Sequence, residues 1–157
     1  MKYRTLDELA PVAQIGSLGP EALKALRRKR LERLADVLDA YDGPFGLLSR
    51  IEYLPKQERM SARAEDSPLA LAFQDPILRG QGLASDRVGD AMSFFDLSWR
   101  EAHHLFCDCH YTAGITARIV ADRVRSLAHR LTFVELWARV RNTVTSRLGR
   151  ITTLAGS

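Results

Sequence analysis

Residues 98–131 read SWREAHHLFCDCHYTAGITARIVADRVRSLAHRL, and this stretch carries the helix signals on which the fold rests. Ser98 and Glu101 have the spacing of a capping box, in which the serine side chain accepts the third amide and the glutamate reaches back to the cap amide. That box predicts a helix through about Phe106. Tyr111 to Gly114 breaks it, and a second helix is predicted from about Ile115 to Arg130, with Val120, Val124, Leu127 and Leu131 on one stripe.

The same grammar continues downstream. Thr132 and Glu135 repeat the capping box, and Phe133, Trp137, Val140, Val144 and Leu148 share a face until Gly149. The two predicted helices at 115–130 and 132–148 read as a C-terminal hairpin, and residues 151–157 read as a polar tail. Upstream, Ser85 precedes a helix bearing Val88, Met92 and Phe95. Ser67 and Pro68 open another, because serine caps well and proline suits the first helical position. Asp75 and Pro76 stop that helix.

Farther upstream, Leu23, Leu26, Leu31, Leu34, Val37, Leu38 and Tyr41 mark one face of a helix over 21–41, which opens after Gly19-Pro20. Its opposite face carries Lys24, Arg27, Arg28, Lys29, Arg30 and Arg33 and reads as solvated, with stems lying over apolar surface. Residues 43–66 show no sustained period. Ile51 to Leu54 fits a short strand or one helical turn. With no strand pair and no repeat, the expectation is an all-α fold: a single compact domain over 17–150, five to seven helices, and an N-terminal arm over 1–16.

The 157 residues hold 23 Lys plus Arg against 19 Asp plus Glu, with 46% apolar residues. That composition excludes disordered and collagen-like classes, and two cysteines exclude a disulfide framework. No run of 18 apolar residues occurs, and charges fall within the first eight residues, so a cytoplasmic protein without a membrane partner is expected.

Five of the six His and Cys residues lie within eight positions, as His103, His104, Cys107, Cys109 and His110. Random placement puts ~0.3 there. At helical spacing His103 and His104 each pair with Cys107, so a metal bound here would require Cys107, with Cys109 and His110 folding back from a loop. Such imidazole and thiolate donors suit tetrahedral zinc. Structural zinc motifs usually set two ligand pairs a dozen or more residues apart, whereas this cluster is local. The alternative makes Cys107 a small buried hydrophobe and leaves the histidines capping carbonyls at the helix end. Thiol chemistry would need a base, and His104 or His110 is in reach. The negative pole of the helix works against a thiolate there, however, and no oxyanion loop accompanies the pair. No nucleotide loop, zincin or serine-hydrolase motif occurs, so no enzyme and no cofactor is expected, zinc being the one metal the ligand set suits.

Charge is uneven. Through residue 115 the chain has 15 basic and 17 acidic residues, net −2; beyond it lie 8 basic and 2 acidic, net +6, and the two parts add to +4. All eight late cations are arginines, among them Arg118, Arg123, Arg125, Arg139, Arg141 and Arg147, and Arg suits bidentate capture of phosphate or carboxylate. The segment 97–128 resembles a helix-turn-helix in outline and departs from it in its long break over 107–114, where three or four residues are usual. The primary expectation is a protein-interaction module, as an accessory or adaptor subunit or a homo-oligomer. A nucleic-acid binder using the late arginines and a zinc protein using the 103–110 cluster are the alternatives.

Overall fold

A computed structural model describes residues 19–112 and 114–130. The N-terminal arm, the Thr132 capping box with its hairpin, the polar tail, Arg139, Arg141 and Arg147 lie outside the described residues. Within them the protein is all-α, with α1 Pro20–Asp39, α2 Lys56–Ser61, α3 Pro68–Gln74, α4 Pro76–Gly80, α5 Val88–Phe95, α6 Trp99–Phe106 and α7 Ala117–Ala128. Two 3-10 turns, Ile51–Tyr53 and Asp108–His110, complete the described helical elements. No described helix is long and apolar enough to cross a membrane.

Local chemistry explains most of the boundaries. Pro20, Pro68 and Pro76 each sit in the first turn of a helix, where a missing amide costs nothing. The Ser67 hydroxyl accepts the Ala70 amide, and the Ser98 capping box is present in both directions. Thr116 caps α7, accepting from Ile119. Asp75 does more than stop α3: its Oδ1 accepts the Leu78 amide at 2.9 Å and starts α4 at once. Ser85 accepts the Arg87 amide at 3.1 Å, and α5 begins only at Val88.

The core is one cluster. Leu31, Leu34, Ala35 and Leu38 of α1 pack with Val120, Ala121 and Val124 of α7, and Phe95, Leu105 and Phe106 join them from α5 and α6. Each such leucine or phenylalanine contributes about 1.5–3 kcal/mol by leaving water. α1 packs chiefly on α7 and also touches α3, α4 and α5.

That central position corrects the reading of a solvated basic face on α1 for Arg27, Arg30 and Arg33, while Lys24, Arg28 and Lys29 are exposed. Arg30 is only 8% exposed, donates from Nη1 to the Phe94 carbonyl at 2.6 Å, and lies over the Phe94 ring at 3.9 Å. Arg27 pairs with Glu101 at 2.9 Å and donates to the Asp96 carbonyl, Arg33 holds Asp75 through both carboxylate oxygens, and Arg28 reaches the Ala128 carbonyl. A helix with neighbours on several sides uses its cations to tie them together, since charges surrounded by protein need partners.

Residues 43–66 are neither strand nor long helix. A single parallel bridge joins Leu48 to Cys107: the Leu48 amide donates to the Phe106 carbonyl and the Asp108 amide to the Leu48 carbonyl, both at 2.9 Å. Arg50, in the left-handed region at φ 56°, then turns the chain into Ile51–Tyr53. The bridge thereby sets that turn against the end of α6, where Ile51 is buried and Glu52 faces the histidine cluster.

Candidate metal centre and adjoining groove

The centre forms where α6 ends. Cys107 leaves the helix in an extended conformation, φ −103° and ψ 138°, because it is the bridge partner of Leu48. Its side chain therefore turns into the core, at 0% exposure. The 3-10 turn Asp108–His110 then folds Cys109 and His110 back beside His103, the last turn of α6. Donor atoms of His103, Cys109 and His110 all lie within 4.8 Å of one another.

The two nitrogens of His103 have different company. Nδ1 meets His110 Nε2 at 2.8 Å, in an edge-to-face pair of rings. Nε2 faces Cys109 Sγ at 3.9 Å and Glu52 Oε2 at 3.5 Å. That Glu52 oxygen is buried and has no hydrogen-bond partner. With metal–ligand bonds of about 2.0–2.3 Å, tetrahedral zinc holds N and S roughly 3.5 Å apart and N and O roughly 3.4 Å apart. The Nε2 corner already approaches both separations, while His110 occupies the opposite nitrogen. A partner on the far nitrogen is what holds a metal-binding imidazole in one tautomer and orientation.

The expectation that Cys107 anchors any metal is corrected here. Burial, followed by the negative charges of Cys109, Glu52 and Asp108, pushes its thiol up to about 12. It packs as a hydrophobe, and the exposed Cys109 is the sulfur that meets the histidines. Burial and then Glu52 and Asp108 also raise the Cys109 thiol, so the site as it stands favours a neutral thiol until a cation arrives. Nor do His103 and His110 cap helix carbonyls; they bind each other. His104 stays outside that donor group, its ring 4.9 Å from that of His110. Glu52 was missed altogether. It lies 51 positions before His103, and no spacing in the sequence links the two.

His104 opens onto a groove of about 930 Å³ between α6 and α7, with Arg100, Arg123 and Arg130 in its walls. Partial desolvation, then the positive charges of Arg123, His110, Arg100 and Arg130, hold the His104 imidazole below its ordinary value. The Arg123 guanidinium stacks on Tyr111 at 3.8 Å and donates from Nη2 to the His110 carbonyl at 2.8 Å, so it also braces the 3-10 turn. The predicted arginine set does not form one stripe among the described residues. Arg118 is exposed, Arg123 lines the groove, and Arg125 turns to α1, where it pairs with Asp36 and Asp39. Comparison with protein-family models, curated proteins and solved structures finds no match for this chain.

Proposed function

We propose that this protein is a small helical metal-binding module that takes zinc, or a divalent cation of like preference, on His103 Nε2, Cys109 Sγ and Glu52 Oε2, with His110 orienting His103 through Nδ1. The observation that carries the reading is that His103 Nε2 has both Cys109 Sγ, at 3.9 Å, and Glu52 Oε2, at 3.5 Å, as neighbours, the latter a buried carboxylate oxygen with no hydrogen-bond partner. A buried orphan of that kind costs about 1–3 kcal/mol or more, which a bound cation would offset. The donor set also answers the objection that the cluster is local. Glu52 comes from a distant turn, so a metal would clip the 48–54 segment to the end of α6 and close a long loop. Three protein ligands leave a fourth position for water or a ligand atom.

The test is titration of chelator-treated protein with cobalt(II), whose thiolate absorption reports sulfur ligation. One equivalent should bind with a thiolate band. Glu52→Gln should weaken binding at least about tenfold while leaving the helical spectrum intact, in line with the usual loss on removing a metal-site carboxylate. Binding without a thiolate band, or unchanged by Glu52→Gln, would remove this ligand set.

The protein-interaction module remains a second reading on one observation. Tyr53 is 81% exposed and Leu54 is partly exposed beside it, in the turn that carries Glu52. A metal on Glu52 would then order an apolar contact surface for a partner. A nucleic-acid role for the late arginines draws less support, since Arg125 is engaged by Asp36 and Asp39.

A further inference from the structure

We propose that the groove between α6 and α7 is a binding site for the phosphate group of a small phosphorylated ligand. It shares the His103–His110 wall with the metal centre but does not depend on a metal. Three arginines converge on it from two helices: Arg100 from the first turn of α6, and Arg123 and Arg130 from α7 and the residues just after it. Among the described residues of the lining the only carboxylate, Glu101, is already taken, accepting from Arg27 at 2.9 Å and from the Ser98 amide at 2.9 Å. Among the described residues neither Arg100 nor Arg130 makes an ion pair with a carboxylate. The groove therefore holds cations whose counter-charge the described part of the chain does not supply.

The C-terminal sequence beyond the groove is itself rich in arginine. Residues 131–157 bring Arg139, Arg141, Arg147 and Arg150 against the single acid Glu135. An anion from outside would supply that charge, and Arg123 shows the geometry it would meet. That guanidinium is clamped by Tyr111 and the His110 carbonyl, and its Nη1 is buried without a partner. A guanidinium held in place this way loses little freedom on meeting an oxyanion, and Arg is the residue best matched to the oxygens of phosphate. Three guanidiniums match a dianion better than a single carboxylate. A volume of about 930 Å³ is much larger than one phosphate, so the phosphate would be one end of a larger molecule.

The experiment uses the full chain, treated with chelator so that the outcome is independent of the metal reading, and titrates it with inorganic phosphate and pyrophosphate by calorimetry at neutral pH. One saturable site is expected for each. The Arg100→Ala, Arg130→Ala double variant removes two exposed side chains and should weaken both by at least about tenfold, the usual order for lost charge-assisted contacts. Arg118→Ala, on the same helix and outside the lining, should bind as the parent does. Absence of saturation, equal affinity in the double variant, or equal weakening by Arg118→Ala would overturn the proposal. So would duplex DNA that binds tightly and competes for Arg118 as well, which would place the charge in a backbone-tracking surface instead of a pocket.

Discussion

Replacing the two cysteines one at a time separates a core thiol from a ligand thiol. Cys107 has no exposed surface and sits among Leu48, Phe106 and Val120 in the apolar cluster. Cys107→Ser puts a hydroxyl there, and a buried hydroxyl without a partner costs about 1–3 kcal/mol. In a chain of this size each kcal/mol moves Tm by about 2–4 °C, so Tm should fall by about 2–12 °C. Cys109 is exposed, and Cys109→Ser in the metal-free protein should stay within about 0.5 kcal/mol, or about 2 °C. Zinc at a hundredfold excess over its dissociation constant should add about 2.7 kcal/mol, roughly 5–11 °C. That increment should survive in Cys107→Ser and vanish in Cys109→Ser. Thermal unfolding followed by circular dichroism, with and without zinc, reads all four quantities. An increment lost in Cys107→Ser and kept in Cys109→Ser would refute the reasoning, and so would an unperturbed Tm in metal-free Cys107→Ser.

Other outcomes follow from the packing. Thiol labelling of the native protein should modify Cys109 and spare Cys107, whose thiol is pushed up to about 12 by burial; equal labelling rates would contradict its place in the core. Arg30→Ala should cost about 2–4 kcal/mol in urea unfolding, because it strips a charge-assisted bond from the buried Phe94 carbonyl and the stack on the Phe94 ring; a loss under about 0.5 kcal/mol would mean the side chain is solvated. Burial raises the Asp75 carboxyl, but Arg33 and the Leu78 and Ile77 amides together outweigh it and leave the group below its ordinary value. Its contribution is therefore present above the unfolded-state value near 3.8 and is lost as pH falls through the lower folded value. Asp75→Asn should flatten the fall in stability on that acid limb and cost about 2–3 kcal/mol at neutral pH, through the weakened ion pair and cap. An unchanged acid limb would rule out Asp75 as the titrating group.

Local signals determined α1, α3, α5, α6 and α7, whereas α2, inside the stretch without a sustained period, and α4, which opens at the Asp75-Pro76 pair read as a stop, went unread. The caps at Ser67 and Ser98, the first-turn prolines and the apolar stripes set boundaries within about two residues, because a helix end is decided by hydrogen bonds among near neighbours and a helix face by a fixed period. The excess of soft ligands between His103 and His110 was equally plain, since it is a matter of counting. Only tertiary structure decided which of them meet. Continuing the helical period past Phe106 sets Cys107 beside the histidines, yet the bridge to Leu48 pulls that residue into an extended conformation and turns its sulfur inward. The same bridge brings Glu52 to His103 across half a hundred residues, and it rests on two backbone hydrogen bonds that any residue types could make. The basic face of α1 shows the same division. Periodicity revealed that Arg27, Arg30 and Arg33 lie opposite the leucines, but not that other helices would surround them. The number of neighbours around a helix is set by how the whole chain packs, and a single helix carries no record of it.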